Sequence, residues 1–200
     1  MPFQNFTRNV WLLCLAQVFA FTGTNVTIFL GGIVGSLLAP SPVLATLPVA
    51  FMIVGTASGT VPASMIMSKK GRRFGFISAA IFASCAALVG GFAIDMASFW
   101  LYCFACFSIG LSVAFVQQYR FAAAESVAPE FAPTAISSIL LAGIAGAFLG
   151  PNIANITKDL LPNTPFVGSY MALALMVLMP ALILSWLTTS KQRIRVADVT

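Results

Sequence analysis

Six stretches of the chain, each at least about twenty residues long, run almost without charge and end at a short polar or proline-bearing break. Crossing the hydrocarbon core of a bilayer takes about 20 apolar residues per helix, so six crossings use about 120 residues. In a chain of 200 residues that leaves only connections and ends, with no room for a second, soluble domain. Composition agrees: 60% of residues are apolar, 8% are charged and the mean hydropathy is +0.99. A soluble domain averages about 25% charged residues, and a disordered chain is poor in apolar ones, so both classes are excluded. None of the stretches alternates with period two, and each is too long to be a barrel strand of about 10 residues.

The expected fold is therefore all-α with six transmembrane helices. They run from about Val10 to Leu38, Leu44 to Met67, Phe74 to Ile94, Phe99 to Ala124, Ala135 to Ile156 and Phe166 to Leu187. Residues 1–189 form one membrane domain, and 190–200 a basic tail or the start of a linker. Pro48, Pro62, Pro151 and Pro180 fall inside these spans, where neighbouring helices can re-satisfy the freed backbone groups. Gly31 and Gly35, Gly55 and Gly59, and Gly146 and Gly150 are pairs at four-residue spacing, which lets helix backbones approach closely. No residue-level repeat is visible between the two halves of the chain.

Charge sets the expected orientation. Arg8, Lys69, Lys70, Arg72, Arg73, Lys191, Arg193 and Arg195 lie at the amino end, the 2–3 connection and the tail, all on one side of the bilayer. The opposite side holds only Lys158, so the positive-inside rule puts both termini in the cytoplasm. The net charge of +5 thus reports topology, and no nucleic-acid partner is implied. Val18-Phe19-Ala20 has the form of a signal-peptidase site, but the apolar stretch continues past it and cleavage would spoil the charge asymmetry.

Enzymatic readings find little support. The chain has no histidine, which removes Ser-His-Asp and Cys-His catalysis and histidine-ligated zinc. Cys14, Cys85, Cys103 and Cys106 lie within apolar stretches, where the thiol behaves as a small packing group. Asp95 and Asp159 fall at one side and Glu125 and Glu130 at the other, with no metal- or phosphate-binding cluster. No Gly-x-x-x-x-Gly-Lys-Ser/Thr loop is present, so ATP drive has no support. No cofactor and no metal are expected.

Three segments carry more information. The 2–3 connection reads Ser64-Met65-Ile66-Met67-Ser68-Lys69-Lys70-Gly71-Arg72-Arg73, with Gly71 placed where a tight reversal needs a positive φ. Span five contains Gly146-Ala147-Phe148-Leu149-Gly150-Pro151. Span four ends in Gln117-Gln118-Tyr119-Arg120-Phe121-Ala122-Ala123-Ala124-Glu125. Together these resemble the amino-terminal six-helix half of a major facilitator superfamily permease, over nearly the whole chain. The first resembles that family's 2–3 signature, with Ser64 at a glycine position and Ser68 in place of an acid. The second resembles its Gly-x-x-x-Gly-Pro element, which marks proton antiporters in many members. The paired glycines that follow in the family are here Ala154 and Asn155. Arg-Phe-Ala-Ala-Ala points to the bacterial branch and so to a bacterial cytoplasmic (inner) membrane.

The resemblance implies two inverted three-helix repeats and secondary transport of a small solute by alternating access. It also implies a second six-helix half, or a second copy, as partner beside the lipid bilayer. Spans one and four line the central cavity in that family, which makes Asn25, Arg120 and Gln117 the first candidates for the substrate pathway. Gln17, Asn152 and Asn155 follow. For each of them interhelical hydrogen bonding is the competing structural reading, and for Arg120 snorkelling to the headgroups. Arg120 and Gln117, three apart, are expected on one helix face. Glu125 lies about 140° around the helix from Arg120, so its expected partner is in the basic connection, foremost Arg73. The span interiors hold no carboxylate and Glu125 is the nearest, so proton coupling uses it, uses the other half, or does not occur. The alternative function is a truncated, non-transporting scaffold or partner subunit.

Overall fold

The computed structural model describes residues 8–161 and 164–187. The expected basic tail with Lys191, Arg193 and Arg195, and the boundary at 189, lie outside the described residues. Among the described residues seven α-helices follow one another: α1 Arg8–Leu38, α2 Leu47–Lys70, α3 Arg72–Asp95, α4 Phe99–Val116, α5 Tyr119–Glu125, α6 Ala132–Thr157 and α7 Val167–Leu184. Short 3-10 turns at Pro42–Leu44 and Pro129–Phe131 lead into α2 and α6. Six of the units are long and apolar enough to cross a membrane, with α4 and α5 together making the fourth.

Local chemistry explains the ends. Pro48 and Pro133 sit in the first turns of α2 and α6, where a missing N–H costs nothing. Pro48 is thus a starter and not, as the sequence suggested, an interior proline, whereas Pro62, Pro151 and Pro180 are interior. The fourth span breaks at Gln117 and Gln118, where the Gln118 and Phe121 amides bond to carbonyls three residues back, tightening one turn.

Two buried clusters show how the spans alternate. One joins Val10 and Leu13 at the start of α1 with Met67, Phe76, Tyr119, Ala135 and Leu184. The other joins Leu30 and Val34 near the end of α1 with Met52, Ala93, Tyr102, Ala154 and Tyr170. Successive spans therefore run in opposite directions, and the 2–3 and 4–5 connections share an end with Arg8.

The tightest pairings are α2 with α4, α1 with α6, and α3 with α7, followed by α3 with α4 and α1 with α7. In hydrocarbon no hydrophobic force draws helices together, so contact depends on close packing and interhelical hydrogen bonds. The glycine pairs supply the packing. A methyl on Gly55 would overlap the Phe107 carbonyl oxygen, and one on Gly59 would stand 3.0 Å from the Leu111 oxygen. On the other side of the bundle a methyl on Gly146 would lie 2.7 Å from the Val18 oxygen, and one on Gly150 would lie 2.7 Å from Asn25 Cβ. Gly31 and Gly35 perform the same service where α1 meets Val49, Ala45 and Pro48.

These two seams are built alike. The buried stripe of α2, Pro48, Met52, Gly55, Gly59 and Ala63, recurs in α6 as Ile139, Gly143, Gly146, Gly150 and Ala154, each 91 residues further on. Their partners, Phe107, Gly110, Leu111 and Ala114 in α4, stand 89 residues beyond Val18, Phe21, Thr22 and Asn25 in α1. Side chains differ at most of these places, which hides the correspondence from the sequence. Hydroxyls add cross-links: Thr56 Oγ1 donates to the Gly110 carbonyl at 3.1 Å and Ser84 Oγ to that of Ala174 at 3.0 Å. Tyr170 donates to the Tyr102 hydroxyl at 2.8 Å.

Gly55→Ala should destabilise the bundle by about 1–3 kcal/mol, the usual range for overpacking. Gly32, with open space where a Cβ would stand, should accept alanine without loss. Thermal unfolding of the two variants in detergent makes the comparison, and equal melting temperatures would contradict the seam.

Candidate functional site

The four helices α1, α7, α3 and α4 form a ring. Three of its sides are closely packed, but α1 and α4 touch sparingly. Inside the ring lies a small cavity of about 30 Å³, room for about two water molecules. Its walls include Ala20 and Thr24 of α1, Ala79, Ala80 and Ala83 of α3, Ser112 and Val116 of the fourth span, and Val177 and Pro180 of α7. Ala20 and Thr24 lie near the middle of α1 and Ser112 near the middle of the fourth span, while Phe76, Tyr119 and Pro180 extend the lining toward the end that carries Arg8.

The lining is almost wholly apolar, and alanines on α3 make the room. Ser112 is the exception: it is 4% exposed, and its Oγ has no hydrogen-bond partner. A buried hydroxyl left unpaired costs about 1–3 kcal/mol. Thr24 spends its own hydroxyl on the Ala20 carbonyl at 3.0 Å. The alanines and Ser112 were not among the residues picked out from sequence, because small side chains in an apolar helix look like ordinary packing.

Arg120 lies just past the break in the fourth span. It is half-buried, its guanidinium stands 4.9 Å from the Phe121 ring centre, and its Nε is buried without a partner. Gln117 is exposed at the break itself, so the two do not sit on one continuous helix as expected. Asn25 is half-buried in the α1–α6 seam beside Gly150, and its Nδ2 donates to the Phe21 carbonyl at 2.8 Å. Gln17 is 5% exposed in the same seam, against Gly143, with an unpaired Oε1. Asn152 is exposed on α6 and donates to the Phe148 carbonyl at 2.7 Å. The structure therefore does not gather the expected polar residues into one cluster. Gln17 belongs to a helix seam rather than to an open face.

At the end shared with Arg8, Glu125 takes two bonds from Arg72, Nε to Oε2 at 2.8 Å and Nη2 to Oε1 at 2.5 Å. The expected partner, Arg73, is exposed. Arg72 opens α3 directly after Gly71, which has φ 86° and ψ 156°, a region essentially closed to residues with a Cβ. Gly71 thus turns the chain sharply enough to aim Arg72 back at the end of α5. Ser68 gives its hydroxyl to the Met65 carbonyl at 2.9 Å, and Ser64 to that of Val61 at 2.8 Å. Among the described residues, no group of three or more His, Cys, Asp or Glu is placed to hold a metal.

No family model matches the chain. It is similar to the riboflavin transporter RfnT of Brucella anthropi, with 33% identity over 186 residues. The match covers 93% of this chain and 47% of that protein, so the chain spans about half the length of the curated relative it matches. Six apolar spans and similarity to a transporter over almost the whole bundle make this an integral, multi-pass membrane protein.

The Arg72–Glu125 pair is partly exposed, so its contribution is small. A double-mutant cycle with Arg72→Gln and Glu125→Gln should return a coupling of about 0.2–1 kcal/mol. The same cycle with Arg73→Gln should return none, and a reversed ranking would refute the pairing.

Proposed function

We propose that this chain is a six-helix half of a secondary transporter for a small solute of the riboflavin type. The similarity to a riboflavin transporter along 93% of the chain carries that reading. The matched seams support the finer architecture. Exchanging spans one, two and three for four, five and six turns the α2–α4 seam into the α6–α1 seam and the α3–α4 contact into the α7–α1 contact. Such an exchange is what two inverted three-helix repeats of a major facilitator half require.

Under this reading the end that carries Arg8, Lys69, Lys70, Arg72 and Arg73 faces the cytoplasm of a bacterial inner membrane. A second six-helix unit, from the same polypeptide or a second copy, closes the pathway opposite α1 and α4. Alternating access then rocks one unit against the other, driven by an ion gradient or by the solute's own. Riboflavin is uncharged, so its recognition needs hydrogen bonds and an apolar surface more than an ion pair. Asn25, Gln117 and Arg120 offer the bonds and the recess offers the surface.

Riboflavin uptake into proteoliposomes separates transport from the alternative, a non-transporting scaffold. Saturable uptake is expected when the six-helix unit is present with its partner unit, and none in empty liposomes. Arg120→Lys should lower uptake about tenfold, because an ammonium cannot replace a guanidinium's fixed fork of donors. Normal transport by that variant would remove Arg120 from the pathway.

A further inference from the structure

The recess within the α1, α3, α4 and α7 ring has a shape and chemistry that favour one particular part of a flavin. The flavin ring system is polar along its pyrimidine side, where carbonyl and N–H groups crowd together. Its opposite, benzenoid edge carries two methyl groups and no hydrogen-bonding atom. The recess matches the second kind of surface. Its floor is Ala79, Ala80 and Ala83, each under a tenth exposed, and Val177 and Pro180 close its far wall. Its volume of about 30 Å³ suits about two water-sized groups, and a methyl group is of that size.

We propose that this recess is the subsite for the methyl-bearing edge of the flavin, a proposal that rests on the riboflavin reading above. The ring enters through the loose α1–α4 side, the methyl groups reach the α3 alanines, and the pyrimidine side and ribityl chain stay outside. Ser112 is a buried hydroxyl in the lining without a partner; the acceptor it would meet is the central-ring nitrogen next to the benzenoid ring, not the methyl edge itself. The remaining polar candidates, Asn25, Gln117 and Arg120, then serve the polar parts of the ligand.

The discriminating ligand is the riboflavin analogue that lacks both ring methyls. Binding to the chain reconstituted with its partner unit in lipid nanodiscs is read from quenching of flavin fluorescence. Burying two methyl groups should make riboflavin bind about tenfold more tightly than the analogue. Ala83→Val, or Ala80→Val if the first variant fails to fold, fills the recess from its floor. It should weaken riboflavin about tenfold and leave the smaller analogue bound as before. A folding defect would weaken both ligands together, so retained analogue binding excludes it. If the wild-type chain does not distinguish the two flavins, or a filled variant still prefers riboflavin, the subsite is refuted while the flavin reading stands. If the wild-type chain, reconstituted with its partner unit, binds neither flavin, the flavin reading itself falls and the subsite with it.

Discussion

Close approach of backbones at the glycine seams is the constraint on which the rest of this structure depends. A bilayer gives helices no hydrophobic reason to associate, so small residues must let main chains meet. Gly55 and Gly59 do so for α2 on α4, and Gly146 and Gly150 for α6 on α1. Each of α2 and α6 is held along one narrow stripe, and the remainder of its surface lies outside the bundle. Between them, α1 and α4 are fastened from outside and from behind but scarcely to each other. The recess exists because of that imbalance.

The same imbalance gives the polar residues their meaning. Most hydroxyls in the bundle are spent locally, as Thr22, Thr24 and Thr27 each bond to a carbonyl one turn back in α1. Against that background the unpaired atoms stand out. Ser112 Oγ, Gln17 Oε1 and Arg120 Nε are buried without partners. Gln17 is held in a seam by close packing against Gly143, so it reads as a structural amide. Ser112 lines a cavity, and Arg120 sits just past the break in its span.

Much of this was legible in the residues. Uncharged runs of twenty residues admit little besides membrane helices, and the positive φ at Gly71 followed from the need for a sharp reversal. The glycine pairs announced close neighbours but not which ones, because four-residue spacing identifies a face without identifying what lies against it. The correspondence between the two seams stayed hidden for a physical reason. What is preserved at each position is the space available to the neighbouring backbone, and Met52 and Gly143, or Phe21 and Gly110, meet that requirement with unlike side chains. The recess was illegible for a related reason, since a cavity is made by what alanine lacks. Even Glu125 was placed with the correct connection and the wrong arginine: the choice between Arg72 and Arg73 turns on the angle at which Gly71 releases the chain.

That angle also bears on how this end of the bundle meets anything else. At residue 68 the 2–3 connection carries a serine and no acid, and its hydroxyl is spent on Met65. The acid that remains close by, Glu125, is engaged by both ends of the Arg72 fork. An exposed pair of this kind contributes little stability, so its effect is positional: it ties the start of α3 to the end of α5 within one unit. With that carboxylate occupied, Lys69, Lys70 and Arg73 face outward around the reversal. A surface that meets this reversal must therefore accommodate cations, and the acid needed to pair with them has to come from that surface rather than from residue 68.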